Sequence, residues 1–154
     1  MDRLSWRGEL AKDQEILELL TTMVDDITPE HDSKLQELLK DLSNKVEHPI
    51  NEGNRKVIIF TVFADTAMYL YDNVSAFMLK KYGLNTAVVT GSVEGRTTVK
   101  LKQADMNTVL TCFSPKSKNR DMFDSIPKVD IDILIATDCI SEGQNLQDCE
   151  YLIN

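Results

Sequence analysis

The sequence predicts an α/β fold in which helices flank a parallel β-sheet and a helical extension precedes it. Three continuous apolar, β-branched runs, KVIIFTVF, NTAVVTG and IDILIATD, are typical of strands that are covered on both faces. The segments between these runs carry apolar residues at helical spacing. Strands that alternate with helices in this way form parallel βαβ units.

The first fifty residues predict two amphipathic helices. Apolar residues recur at three- and four-residue spacing in each, namely Ile16, Leu20, Met23, Val24 and Ile27, then Leu35, Leu38, Leu39, Leu42 and Val46. Ser33 is expected to cap the second helix, with Gln36 at the capping-box position. Pro49 is expected to end it, because proline cannot continue the helical hydrogen-bond ladder. We assign residues 1–31 to the extension and residues 32–154 to the sheet domain.

The sheet region begins at Lys56 with the first apolar run. A helix follows over ADTAMYLYDNVSAFMLKKYG, and Gly83 can end it in a left-handed conformation. After the second run, we predict a helix from about Arg96 to Phe113, ended by Pro115. Its inward-facing residues would be Val99, Met106, Val109, Leu110 and Phe113. A polar loop with one helical turn then leads to the third strand, and CEYLIN predicts a fourth.

The distribution of charge is uneven. The formal net charge of −8 argues against a free-standing nucleic-acid binder. Residues 96–120, however, contain one acid, Asp105, and six cations: Arg96, Lys100, Lys102, Lys116, Lys118 and Arg120. Such a run is either a solvated helix face or a patch that faces phosphate, and the sequence leaves both open.

The cysteines predict neither a disulfide framework nor a metal site. Cys112, Cys139 and Cys149 form no CxxC pair, and His31 and His48 lie far away in the chain. With no neighbouring histidine, Cys139 is expected to pack as a small apolar side chain and not to act as a nucleophile. No apolar run approaches the roughly 20 residues of a membrane span, and no signal region is present. We therefore expect a cytoplasmic protein without membrane contact.

Each of the three predicted strands ends in a threonine. Thr61 with Phe63 ends the first, Thr90 with Gly91 the second, and Thr137 with Asp138 the third. Ligands bind beyond the carboxyl ends of parallel strands, and a threonine hydroxyl suits phosphate oxygens. Threonine is also common in strands for packing reasons, so that alternative stays open. The chain contains neither GxxxxGK[ST] nor GxGxxG, so we expect it not to cradle a triphosphate by itself.

Three segments, in order, resemble a known family. KVIIFTVFADTAMYL, VVTGS and ILIATDCISEGQNLQDCEYLIN are similar to motifs IV, IVa and V of superfamily 2 helicases. They look most like bacterial Swi/Snf-type ATPases, whose motif V, T-D-x-x-x-E-G-x-N-L, is matched from Thr137 to Leu146. HDSKLQELLKDL resembles the helix that leads into the second lobe of these proteins. The resemblance extends from about Thr28 onward and implies a RecA-like second lobe, the helicase C-terminal domain.

The resemblance also implies two sets of site residues. The residues that would contact a nucleic-acid backbone are Thr61, Thr90, Gly91, Thr137 and Asp138. Those that would face the nucleotide and the opposite lobe are Glu142, Gly143, Gln144 and Asn145. Members of the family bind ATP and magnesium between two RecA-like lobes.

The sequence departs from the family pattern in two places. It contains no first lobe, with its phosphate loop and magnesium-binding acids, and no Q-R-x-G-R-x-x-R motif with arginine fingers. We expect a partial second lobe, truncated after motif V, with no catalytic residue, no metal ligand and no stable hold on ATP or magnesium. In a longer protein its partners would be the first lobe and the backbone of DNA or RNA. Composition alone favours the alternative, a non-catalytic α/β module whose acidic helices dock a protein partner.

Overall fold

A computed structural model describes residues 3–25, 28–91, 95–101, 104–140 and 144–154. Ile27, Lys102, Glu142 and Gly143, which figure in the predictions above, lie outside these ranges. The elements in chain order are α1 (Arg3–Asp25), α2 (Ser33–Glu47), β1 (Val57–Phe60), α3 (Ala64–Tyr82), β2 (Thr86–Val89), β3 (Arg96–Thr97), α4 (Met106–Phe113), β4 (Ile133–Ala136) and β5 (Tyr151–Ile153). They form two compact units, Met1–Glu37 and Leu38–Asn154.

The sheet of the second unit has the strand order β3-β2-β4-β1-β5. Strands β1, β2, β4 and β5 run parallel, as the alternating pattern predicts. The α/β class is confirmed, but the sheet is mixed, because the edge strand β3 runs antiparallel to β2. Every residue of β2 and β4 is buried, which explains why these strands are continuous apolar runs.

The helix predicted from Arg96 to Phe113 is wrong at the described residues before Met106, namely 96–101, 104 and 105. Arg96 and Thr97 form β3, where the β-branched Thr97 favours an extended backbone. Helix α4 begins only at Met106, because the Asp105 carboxylate accepts the backbone N–H of Thr108 at 3.0 Å and caps the helix there.

The residues predicted to face inward from that helix have different environments. Val109, Leu110 and Phe113 of α4 are buried in a cluster with Ile58 of β1 and Leu134 of β4. Val99, which precedes the helix, is partly buried against the same cluster. Met106 was predicted to face inward, but 36% of its surface is exposed, because it occupies the first position of a shorter helix. Helix α3 packs against β2 and β4.

The ends of α2 and α3 test which residues the sequence predicts to begin and end these helices. Gly83 ends α3 in a left-handed conformation with φ 68°, and its N–H donates to Leu79 O at 3.0 Å, as predicted. Helix α2 ends before Pro49, also as predicted. The predicted cap of α2 is wrong, because Asp32 Oδ1, and not the hydroxyl of Ser33, accepts the N–H groups of the first turn. A carboxylate accepts these bonds with its full charge at the positive end of the helix.

Helix α1 in the first unit is confirmed as a helix, but its apolar residues are not buried. Their side chains are between 49% and 63% exposed: Trp6, Leu10, Ile16, Leu17, Leu19, Leu20, Met23 and Val24. Here the apolar periodicity indicates helical structure without indicating burial. Within the described ranges, no helix combines the length and hydropathy that a membrane crossing requires.

Candidate functional site

The sheet register places the three predicted threonines side by side. Phe60 of β1 and Val89 of β2 both lie opposite Ala136 of β4. The next residues along these strands, Thr61, Thr90 and Thr137, form a row at the carboxyl end of the sheet with Thr137 in the middle. Thr61 N–H donates to Ala136 O at 3.0 Å, and Thr137 N–H donates to Val89 O at 3.2 Å. We call these three residues the threonine row.

Members of the predicted nucleic-acid set differ in exposure. Thr137 is only 4% exposed and Thr90 8%, while Thr61 is half-buried. Gly91 and Asp138, which directly follow two of the threonines, are exposed. A ligand at this edge would therefore meet Gly91, Asp138 and Thr61 first, with Thr137 and Thr90 beneath them.

The loops that follow β2 and β4 approach each other closely at Gly91. A Cβ atom on Gly91 would lie 3.3 Å from Cys139 Cβ, which is tighter than ordinary van der Waals contact. Glycine at this position therefore permits close packing of the two loops. Cys139 is half-buried, with Sγ 3.5 Å from Val89 O.

Gln144 and Asn145 of the predicted nucleotide set contact a turn at residues 115–119, which the sequence analysis did not connect with them. Lys118 Nζ donates to Gln144 Oε1 at 2.7 Å, and Asn145 Nδ2 donates to Ser117 O at 3.3 Å. No hydrogen bond within the described ranges joins these two amides to the threonine row. The structure therefore brings the nucleic-acid set together at one edge and places the two described nucleotide residues beside the turn.

Asp148 is the residue of this region that sequence reasoning missed. Its carboxylate accepts the backbone N–H of Lys116 at 2.8 Å, the N–H of Ser117 at 2.9 Å and the hydroxyl of Ser117. Burial alone would raise the pKa of Asp148, but the bonds from Ser117 and from the Lys116 N–H together hold it below its usual value. No local sequence signal could have identified it, because its partners lie about thirty residues away in the chain.

The five described cations between residues 96 and 120, which exclude Lys102, do not share one helix face. Arg96 pairs with Asp72 at 3.0 Å and lies over a tyrosine ring of α3, and Arg120 pairs with Asp130 at 2.7 Å. Residues 96–101 are not helical, so the hypothesis of a single solvated helix face is wrong. Lys116 and Lys118 are the cations on the turn that contacts Gln144 and Asn145.

A polar cleft of about 500 Å³ lies at the opposite end of the sheet, before the starts of β1, β4 and β5. Lys56, Lys116, Asp130 and Asp148 contribute to its lining. Lys56 Nζ donates to Ile131 O at 3.0 Å, and its burial lowers the pKa of the amine, an effect that the carboxylate of Asp130 opposes. Among the residues that the structure describes, no group of three His, Cys, Asp or Glu side chains is placed to hold a metal ion.

The comparison with protein families decides the assignment. Residues 32–154 match the family described as the helicase conserved C-terminal domain. The chain belongs to this family. The match includes the threonine row, the segment 144–148 and the turn 115–119 of this helicase C-terminal domain. Searches among curated proteins and among solved structures found no match to it.

The family match settles part of the resemblance stated above. The prediction of a helicase C-terminal domain is confirmed, and the five-stranded α/β sheet is consistent with a RecA-like domain. The closer resemblance of this helicase C-terminal domain to Swi/Snf-type ATPases of superfamily 2 stays a prediction.

Proposed function

We propose that this helicase C-terminal domain is the second motor lobe of an ATP-dependent nucleic-acid translocase of superfamily 2, of the Swi/Snf type. The observation that supports the proposal is the threonine row, in which strand ends that resemble motifs IV, IVa and V lie side by side. Parallel α/β sheets bind ligands at this edge. Thr61, Thr90, Gly91, Thr137 and Asp138 would contact the backbone of one nucleic-acid strand, with the threonines nearest its phosphates, and such contacts position a strand without determining sequence preference.

In the complete motor, ATP and magnesium would bind between this lobe and a first RecA-like lobe. ATP can draw two lobes together only if it binds the closed arrangement more tightly than the open one. The segment that carries Glu142, Gly143, Gln144 and Asn145 would face the nucleotide, and the same segment starts at Thr137 in the threonine row. Closure of the two lobes would in this way be coupled to the contacts with the nucleic-acid strand.

We expect the 154-residue chain alone to hydrolyse no ATP. Its sequence has no phosphate loop and no arginine-finger motif, and these parts stabilise the charge that develops during phosphoryl transfer. Phosphate release should be measured with and without DNA, beside a heat-inactivated sample of the same chain. Turnover above that background would show that the chain contains a complete ATPase site.

We expect the isolated chain to bind a single strand weakly and with strong dependence on salt. One lobe offers few phosphate contacts, and the net charge of −8 opposes them. If cations of the chain neutralise about three phosphates, the logarithm of the binding constant should fall with the logarithm of the salt concentration with a slope of about −2. Fluorescence anisotropy at several salt concentrations measures the slope, and tight binding that salt leaves unchanged would contradict phosphate recognition.

One observation favours the alternative of a non-catalytic protein-docking module. Among the described side chains of helix α1, eight large apolar ones are exposed to solvent. An assay on the longest natural protein that contains this sequence distinguishes the two functions. A motor would show ATP turnover that DNA or RNA stimulates. A protein that lacks such turnover, but binds a partner through α1, would be a docking module.

A further inference from the structure

The segment between β4 and β5 passes from one end of the sheet to the other. Because β4 and β5 both run parallel to β1, a chain that leaves the carboxyl end of β4 must return to the amino end of β5. The Thr137 N–H bond to Val89 O fixes the start of the segment. At its far end, Asp148 bonds to the turn 115–119, and Glu150 accepts hydrogen bonds from Asn51.

The turn 115–119 is itself held firmly. It directly follows α4, whose last residue, Phe113, is completely buried in the core, as is Ser114 after it. Lys118 N–H donates to Ser114 O at 3.0 Å, and Arg120 N–H donates to Pro115 O at 2.9 Å. A residue that bonds to this turn is therefore bonded to a fixed part of the domain, which is what positioning of a site requires.

Five described side chains make the hydrogen bonds between the turn and the segment 144–148: Ser117, Lys118, Gln144, Asn145 and Asp148. Asp148 accepts two backbone N–H groups and a hydroxyl from the turn, and the turn in return contacts Gln144 and Asn145 through Lys118 Nζ and Ser117 O. Of these contacts, only those of Asp148 use a charged acceptor with several donors, so Asp148 contributes the strongest link.

We propose that Asp148 is a positioning residue for Gln144 and Asn145. It holds the turn 115–119 against the segment, and the turn fixes the two side-chain amides that would face the nucleotide. The positioning is a property of this chain, and its consequence for ATP turnover rests on the function proposed above.

The first test uses the 154-residue chain and does not depend on that function. Exchange of the Asn145 side-chain amide protons with solvent is followed by NMR in Asp148→Ala, in the milder Asp148→Asn and in Asp124→Ala, a control at an exposed position. We expect exchange about tenfold faster in Asp148→Ala, a smaller change in Asp148→Asn and none in the control, as loss of a charged hydrogen bond implies. Unchanged exchange in both Asp148 variants, with melting temperatures near the wild-type value, would overturn the proposal.

The second test uses the longest natural protein that contains this sequence, with ATP turnover stimulated by single-stranded DNA. Asp148→Ala should raise the KM for ATP about tenfold. It should add little when Gln144 and Asn145 are already alanine, because residues that act through one another are not additive. If the two alanines impair turnover and Asp148→Ala multiplies that loss in full, the positioning proposal is wrong. If the two alanines leave turnover unchanged, the assignment of the amides to the nucleotide is wrong, whatever the exchange experiment shows.

Discussion

Replacing Lys45 with methionine should lower the free energy of unfolding by about 3–5 kcal/mol, the range for breaking a buried ion pair from one side. The side chain of Lys45 in α2 is 2% exposed, and it pairs with Glu150, whose side chain is 11% exposed. Lys45 Nζ also donates to Asn54 O at 3.1 Å. Methionine matches the length of the lysine stem but leaves the Glu150 carboxylate, just before β5, without its cation.

Urea unfolding monitored by circular dichroism measures this loss. Lys34→Met is the matched control, because Lys34 is exposed and its side chain makes no ion pair within the described ranges. We expect that control to stay within about 0.5 kcal/mol of the wild type. Combining Lys45→Met with Glu150→Met should recover much of the loss, since no unpaired charge then stays buried. If Lys45→Met is as stable as Lys34→Met, the ion pair between Lys45 and Glu150 contributes nothing to stability.

If this domain has the function proposed above, Thr137→Val in the longest natural protein that contains this sequence should weaken strand binding about tenfold while leaving ATP affinity nearly intact. Valine keeps the shape and the β-branching of threonine but removes the hydroxyl. A lost hydrogen bond to a charged phosphate is worth about 1.5–3 kcal/mol. Turnover stimulated by nucleic acid should fall in parallel with strand affinity, because the middle of the threonine row would no longer hold the strand.

Thr86→Val is the matched control for this experiment. Thr86 begins β2, at the end of that strand away from Thr90, and its fully buried hydroxyl has no hydrogen-bond partner in the described structure. Its replacement should leave strand binding unchanged and should not lower the melting temperature, because no bond is lost. If Thr137→Val lowers the melting temperature, strand affinity and turnover together, the role of Thr137 is packing and not contact with a strand.

The elements that follow from local chemistry could be predicted. Nearly every residue of β1, β2 and β4 is buried, so these strands are apolar apart from Thr86 at the start of β2. Gly83 could be predicted as a helix end because the left-handed residue that ends many helices is usually glycine. The threonine row also follows from the sequence, since parallel strands that start together bring their last residues to one edge.

The errors came from competition between local signals. Val99, Val109 and Leu110 suit a helical period, but this spacing also fits a short strand, a loop and a later helix. The hydrogen bond from the Thr108 N–H to the Asp105 carboxylate distinguishes the two arrangements, because it makes the helix begin after Asp105. At α2, Asp32 and Ser33 were both chemically able to cap, and the carboxylate does so.

The environment of Gln144 and Asn145 could not be predicted at all. Their hydrogen bonds go to Lys118 and Ser117, 26 and 28 residues earlier in the chain. Asp148 reaches back 32 residues to Lys116. The packing of two polar segments leaves no apolar periodicity in the sequence, and polar residues of these types are equally common in solvated loops.

The strand order has a consequence for how the domain is made. Strands β1 and β2 do not pair with each other, and both pair with β4, which lies between them in the sheet and much later in the chain. During synthesis, β1 and β2 each keep at least one edge without backbone hydrogen-bond partners until residues 133–136 have left the ribosome. Their apolar runs are then open to chaperones and to misassembly, as expected for sheets built from distant strands. The centre of the sheet can therefore form only after β4 has been synthesised.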